Sequence, residues 1–323
     1  MTGTGDHDPT FNDVLAAAER IRGHVHRTPV ATCAGIDGIA GAAIHFKCEN
    51  LQKVGAFKAR GATNAVLSLD AETAGRGVAT HSSGNHAAAL ARAAALRGVP
   101  AHIVMPSTAP PIKRAAVEGY GAQITECEPT LEARERMLAE VVARTGATFI
   151  HPYDEPMVIA GQGTAALELL ADVPELEMVL TPVGGGGLLS GTAITVSGSR
   201  PEIEVWGAEP AGADDAFRSL RDGRLYPSVQ PRTIADGLLT ALSERTFRII
   251  RSHVAGILTV TEEGIVRAMR LLWERAKLVV EPSAAVPLAM VLEHADCFSG
   301  RRIGIILSGG NVDLEDLPWS PVQ

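Results

Sequence analysis

Short β-rich runs alternate with longer helical patterns along almost the entire chain, and that alternation leaves few folds open. Runs with the length and residue types of strands occur at 44–48 (IHFKC), 78–81 (VATH), 101–105 (AHIVM), 122–126 (AQITE), 178–183 (MVLTPV), 203–208 (IEVWGA) and 303–307 (IGIIL). Helical periodicity lies between them, at 58–69, 85–97, 111–120, 130–145, 160–171 and 262–276. Strands separated by helices are joined by crossovers, so the pattern predicts an α/β fold of parallel, twisted sheets with flanking helices. The stretch 79–149 reads as a compact βαβαβα unit set inside a larger domain made of 1–78 and 150–323. Ligands of such sheets bind beyond the carboxyl ends of strands, where a loop leads into a helix. Each glycine- or serine-rich stretch is therefore read for that position.

The charge balance narrows the ligand. With 29 basic against 37 acidic residues, a net charge of −8 and no basic block, neither nucleic acid nor an anionic membrane is expected as the main partner, and a small soluble molecule is. A hydrophobic content of 46% excludes a disordered chain. Only five basic residues are lysines, Lys47, Lys53, Lys58, Lys113 and Lys277. Amine chemistry has few places to occur, since arginine stays protonated. Cys33, Cys48, Cys127 and Cys297 are scattered without a C-x-x-C pair, which suggests neither a zinc cluster nor a disulfide framework and fits a reducing cytoplasm. The opening MTGTGDHDPT has no signal-peptide character, and no apolar run approaches a membrane span.

Four stretches carry chemistry. GAFKARGA (55–62) places Lys58 near a helix start, where a surface lysine is the plainer reading. HSSGNHAAALARAAALRG (81–98) runs a strand into serines, glycine and asparagine before an alanine-rich helix. That turn is either a carboxylate cup of free amides and hydroxyls or an ordinary Ser or Asn N-cap, and His86 is either part of it or a packing histidine. VLTPVGGGGLLSG (179–191) puts four glycines between a strand and a helix, which lets several amides converge on one phosphate. It is neither a Walker loop nor a dinucleotide fingerprint. IILSGGNVD (305–313) ends a strand in Ser308 and two glycines, a ligand contact or a tight exit turn.

Taken together, GAFKARGA, HSSGNH, GGGG and LSGGN occur in the order and approximate spacing of fold-type II pyridoxal-phosphate enzymes, the tryptophan-synthase β type. Through HPYDEPMVIAGQGT (151–164), AEPAGADDA (208–216), TIADG (233–237), WERAKLVVEPSAA (273–285) and LSGGNVDL (307–314), the chain resembles the serine/threonine dehydratase and serine racemase branch from about Phe11 to Trp319. The resemblance implies a two-domain fold with a small mobile domain at 79–149, and a homodimer. It makes Lys58 the amine that holds pyridoxal 5'-phosphate, Gly184, Gly185, Gly186 and Gly187 the phosphate cup, Asn85 the partner of the ring hydroxyl and Ser308 that of the pyridine nitrogen. The substrate carboxylate would bind the loop of Ser82, Ser83, Asn85 and His86, with Ser83 on the face opposite Lys58. The implied reaction is α,β-elimination from L-threonine or L-serine to a 2-oxo acid and ammonia. Serine racemase and threo-3-hydroxyaspartate ammonia-lyase are alternatives within that chemistry, and a non-catalytic amino-acid-binding protein is the alternative outside it.

The same resemblance gives a Mg²⁺ or Ca²⁺ site at the Glu209 and Asp215 carboxylates and the Ala213 carbonyl. Ala56 departs from the serine common two residues before the lysine, in the manner of enzymes that accept 3-hydroxyaspartate, whose second carboxylate needs a cation; Arg134 and His81 are the candidates. Tyr153 stands where animal racemases carry asparagine. The nucleotide-activator site of those racemases is matched at Lys53, Lys113 and Asn311 but not at Leu15 and Val54, so the match to that site is incomplete and leaves activation by nucleotide open.

Overall fold

A computed structural model describes residues 7–319; the opening MTGTGD and the closing SPVQ lie outside the described residues. The strands are β1 (Val30–Ala31), β2 (Ala43–Lys47), β3 (Val78–His81), β4 (Ala101–Pro106), β5 (Gln123–Cys127), β6 (Thr148–Phe149), β7 (Met178–Pro182), β8 (Glu204–Pro210), β9 (Gly256–Val260) and β10 (Arg302–Ile306). Six of them form one sheet in the order β1-β2-β10-β7-β8-β9, parallel except for β1 against β2. The other four form a wholly parallel sheet, β5-β4-β3-β6. Strands β4 and β7 are buried along their whole length, as strands covered on both faces must be. That is why their sequences read as continuous apolar runs.

All seven expected strands are present within two residues of the expected limits. The expectation omitted β9, whose half-buried GILTV follows a long irregular stretch, and the two-residue β1 and β6. The helix expected from 160 begins at Pro156, a proline at the first turn where no amide is needed. The helix expected over 262–276 is α-helical only over Glu262–Leu271; its last turn, Leu272–Ala276, widens to a π-helix and closes on Lys277 at φ 61°. Lys47, a strand-face position in the sequence, is fully buried.

Close helix crossings set the site. Helix Pro156–Asp172 touches helix Lys58–Ser68 on one side and helix Gly187–Ser199 on the other. A Cβ on Gly161 would lie 2.6 Å from the Gly61 Cα and 2.8 Å from the Arg60 carbonyl oxygen, and one on Gly191 would lie 2.4 Å from the Ile159 carbonyl oxygen. Only glycine permits backbones this near. The same helix thus locates both the Lys58 helix and the glycine loop.

A buried ionic cluster holds the Lys58 helix to β2. The Arg60 guanidinium donates Nε and Nη2 to the two Glu49 oxygens, each at 2.7 Å, and Nη1 and Nη2 to the Glu168 oxygens, each at 2.8 Å. Lys47 Nζ donates to Glu168 at 2.6 Å and to the Thr28 carbonyl at 2.7 Å. Two cations and two carboxylates balance, which is how four charges survive out of water.

Candidate active site

Lys58 opens its helix, with Phe57 before it and no side-chain cap. Its Nζ donates to the Pro152 carbonyl at 2.8 Å and lies 5.1 Å from the Phe57 ring centroid. Burial lowers the amine to about 8, and the nearby Glu281 carboxyl pulls it back upward. Tyr153, the residue after the Lys58 acceptor, lies against the glycine loop: a Cβ on Gly185 would meet its ring at 2.4 Å. Lysine and glycine loop therefore share one wall.

Both expected loops are open helix N-termini. Helix Gly187–Ser199 starts after Gly186 at φ 85°, with no side-chain cap, and Gly184 to Gly187 are buried. An uncapped, buried helix start leaves amides in need of an anion, and phosphate satisfies them. Helix Asn85–Arg97 has Gly84 as its N-cap and likewise no side-chain cap, so neither Ser nor Asn plays the capping role. Ser82 Oγ instead accepts from the Gly84 amide at 3.3 Å. His86 Nε2 donates to the Ile150 carbonyl at 3.1 Å, leaving Nδ1 unprotonated and without a partner among the described residues. Burial, helped by the Lys58 charge, holds this imidazole neutral, with its pKa down to about 3.

Ser308 is buried, and its carbonyl accepts from the Phe57 amide at 3.0 Å, which ties the end of β10 to the residue before Lys58. Between this exit and helix Asn85–Arg97 lies Glu281, a buried acid not singled out in the sequence. Its oxygens accept from Asn85 Nδ2 at 3.0 and 3.2 Å and from the Asn311 amide at 3.2 Å. Burial raises it to about 7. Asn311 Nδ2 also donates to Asn85 Oδ1 and to the Val54 carbonyl, each at 2.8 Å. Val54 is held at φ 55°, a left-handed conformation that is strained for a β-branched residue. The acid of Glu-Pro-Ser reads as an ordinary helix-start residue, and here it does precede helix Pro282–Glu293, but its carboxyl makes no cap bond and turns to Asn85.

His81, at the end of β3, heads an aromatic row: it stacks on Phe149 at 5.8 Å, Phe149 meets His151 edge-on at 5.5 Å, and His151 meets Tyr153 at 4.5 Å. Burial first, then the Arg134 charge, lowers the basicity of His81. Arg134 Nε donates to the Thr130 carbonyl at 3.4 Å, and no ion pair of its guanidinium occurs among the described residues. Lys113 pairs with Asp236 at 2.6 Å.

Glu209, Ala213 and Asp215 lie together where β8 ends and the next helix, Asp215–Asp222, begins. Both carboxyl groups are buried, and Glu209 accepts from the Ala216 and Phe217 amides at 2.9 and 2.8 Å. Burial pushes Glu209 up to about 9 and Asp215 up to about 6, and Asp215 Oδ2 lacks a partner among the described residues. Two buried acids with an orphaned oxygen suit a hard cation. They are two such groups, and no cluster of three or more His, Cys, Asp or Glu able to hold a metal occurs among the described residues.

A parallel fold that brings a partly buried lysine to an uncapped glycine loop suits an enzyme whose cofactor carries a phosphate beside an amine-reactive group. Likeness to known proteins specifies which. The pattern of the family described as pyridoxal-phosphate dependent enzymes matches residues 21–309. A β-hydroxyaspartate dehydratase of Paracoccus denitrificans is 52% identical over 97% of this chain and 99% of its own length. The crystal structure of serine racemase from Dictyostelium discoideum superposes with a TM-score of 0.91 at 50% identity, covering 95% of this chain and 99% of that one. The structure of maize serine racemase gives 0.94 at 44% identity, with 96% and 95% covered, and that of a T.th. threonine deaminase gives 0.91 at 47% identity, with 95% and 99% covered. The chain belongs to the pyridoxal-phosphate dependent enzyme family, in its fold-type II branch of ammonia-lyases and serine racemases.

Proposed function

We propose that this chain eliminates the β-hydroxyl of a hydroxy amino acid, L-serine or L-threonine, releasing a 2-oxo acid and ammonia. The observation that carries the reading is the Lys58 amine, lowered to about 8 and sharing the Pro152–Tyr153 wall with the uncapped glycine loop. Pyridoxal phosphate, when bound, supplies an electron sink for charge developing at the substrate α-carbon. Gly184 to Gly187 would hold its phosphate, Asn85 its ring hydroxyl and Lys58 its carbonyl carbon. Ser308 would meet the pyridine nitrogen; a neutral hydroxyl there would leave the nitrogen unprotonated and the sink modest, which suffices when the leaving group already sits on the β-carbon. The amides and hydroxyls of Ser82, Ser83, Asn85 and His86 bind the substrate carboxylate. Lys58, weakly basic, would take the α-proton. Ser83 faces the other side, and a proton returned from there inverts the α-carbon, giving serine racemase activity.

A second reading, threo-3-hydroxyaspartate ammonia-lyase, is favoured by Arg134. Its guanidinium lies close enough to lower His81 and has no carboxylate partner among the described residues, which suits the second carboxylate of such a substrate. Ala56 and the dehydratase relative support the same choice.

We further propose a structural Mg²⁺ or Ca²⁺ at Glu209, Asp215 and the Ala213 carbonyl, a homodimer, and a cytoplasmic location; among the described residues no helix is long and apolar enough to cross a membrane. Residues 79–149 act as the small mobile domain. Lys113 and Asn311, two of the three nucleotide-site matches, are engaged by Asp236 and by Val54 and Asn85, which supports activity without a nucleotide. Release of 2-oxo acid and chirality should be followed from serine, threonine and 3-hydroxyaspartate side by side. Turnover of at least one, lost in Lys58→Ala, is expected. Amino-acid binding by the cofactor-loaded protein without turnover of any would return the chain to the binding-protein reading.

A further inference from the structure

The hydrogen bonds around Asn85 form a chain that ends at the Val54 carbonyl, which can only accept, and at the Glu281 carboxyl, which can only accept when ionised. At one end the Val54 carbonyl takes a hydrogen bond from Asn311 Nδ2, which fixes that atom as nitrogen. The same Nδ2 donates to Asn85 Oδ1 at 2.8 Å, which fixes the Asn85 oxygen. At the other end Asn85 Nδ2 donates to the Glu281 carboxyl at 3.0 and 3.2 Å. A flipped Asn85 would set oxygen against oxygen at Glu281 and nitrogen against nitrogen at Asn311. Glu281 is itself held: its other contact is the Asn311 amide at 3.2 Å, its own amide donates to the Gly309 carbonyl at 3.0 Å, and a Cβ on Gly309 would lie 2.7 Å from its Oε1. The charged groups that act on it are Asp236, Lys113 and Lys58.

An amide nitrogen carries two hydrogens, and Glu281 takes one. We infer that Glu281 is a positioning residue that locks the Asn85 amide as a donor, so that its second N–H is committed to the ionised ring oxygen of the cofactor. The inference rests on the site reading proposed above and adds to it a residue that touches neither cofactor nor substrate. Without Glu281, only the Asn311 Nδ2 contact, at an exposed position, still opposes a flip that would present the Asn85 oxygen to that same ring oxygen, two acceptors facing each other.

The test uses the cofactor's own absorbance. An ionised ring oxygen gives the visible band and a protonated one the near-ultraviolet band, so their ratio reports the donor. Glu281→Leu, which removes the acceptor, is expected to lower the visible to near-ultraviolet ratio several-fold and to weaken pyridoxal phosphate binding by about tenfold, the loss of one hydrogen bond to a charged group. Asn85→Ala should do the same, and the double variant no more than either. Loss of the Glu281 charge alone would favour the ionised oxygen and raise the ratio, so the sign separates positioning from electrostatics. Asn311→Ala, at an exposed position, should lower the ratio in the same direction by less, and serves should Glu281→Leu not fold. A wild-type ratio and affinity in Glu281→Leu, a raised ratio, or additive losses in the double variant would overturn the inference. Borohydride reduction of the wild type, with the cofactor located by mass spectrometry, tests the underlying reading separately: label elsewhere than Lys58 would sink the site, whereas label at Lys58 with unaltered variants would sink only the role of Glu281.

Discussion

Lys58 is costly to the fold for the reason that makes it useful. Its amine is about 8 in the folded chain against 10.5 for an ordinary lysine, so the unfolded chain binds more protons between these values. A depressed lysine therefore costs stability at pH 7, and the cost disappears as pH rises through the folded value toward the unfolded one. Lys58→Met is expected to stabilise the cofactor-free protein at pH 7 by up to about 3 kcal/mol in urea denaturation and to change little above pH 10. Arg60, two residues on, shows the opposite logic. Its charge is fully compensated by Glu49 and Glu168, so Arg60→Ala leaves two carboxylates buried and should cost about 3–5 kcal/mol in the same experiment.

Among the elements, helix Pro156–Asp172 determines where chemistry can happen, because it contacts both the lysine helix and the glycine-loop helix through backbone. At Gly161 the atoms a methyl would meet are all backbone, so neither neighbour can yield by a rotamer change. Gly161→Ala should destabilise the protein by about 1–3 kcal/mol and lower kcat more than it raises KM, since it displaces Lys58 relative to the cofactor. Unchanged kcat in folded Gly161→Ala would show that the crossing is merely compact. Elements are also where the sequence was most legible. β4, β7 and β10 were readable because burial on both faces leaves a nearly continuous apolar run. β9 was not, because at a sheet edge its burial is patchy and its composition resembles a loop exit.

At the scale of the whole molecule, the Lys113–Asp236 pair joins the unit of the four-stranded sheet to the loop beside Gly184. A half-exposed pair of this kind contributes under about 1 kcal/mol to stability. Its expected effect is on closure: Lys113→Met should leave the melting temperature nearly unchanged while raising KM, and ionic strength should raise the wild-type KM toward that of the variant. The buried Glu209 and Asp215 give a second prediction at this scale. Chelation should lower the melting temperature, added Mg²⁺ or Ca²⁺ should restore it, and Glu209→Gln should abolish the response. A melting temperature indifferent to chelator would leave the two acids as a protonated pair.

The sequence by itself determined the parallel α/β architecture and the set of loops around the site, since strand burial and glycine requirements are local demands written into consecutive residues. It also narrowed the amine to five lysines, and the company of HSSGNH, GGGG and LSGGN singled out Lys58. Only the tertiary structure decided that neither loop is capped, that Lys47 and Arg60 are interior, and that Glu281 faces Asn85 rather than its own helix. The Glu281 contact joins residues 196 apart, and the Lys47–Glu168 pair joins residues 121 apart. Hydrogen bonds and ion pairs depend on positions in space within a few ångström, and no local pattern records which distant residue the fold will bring there.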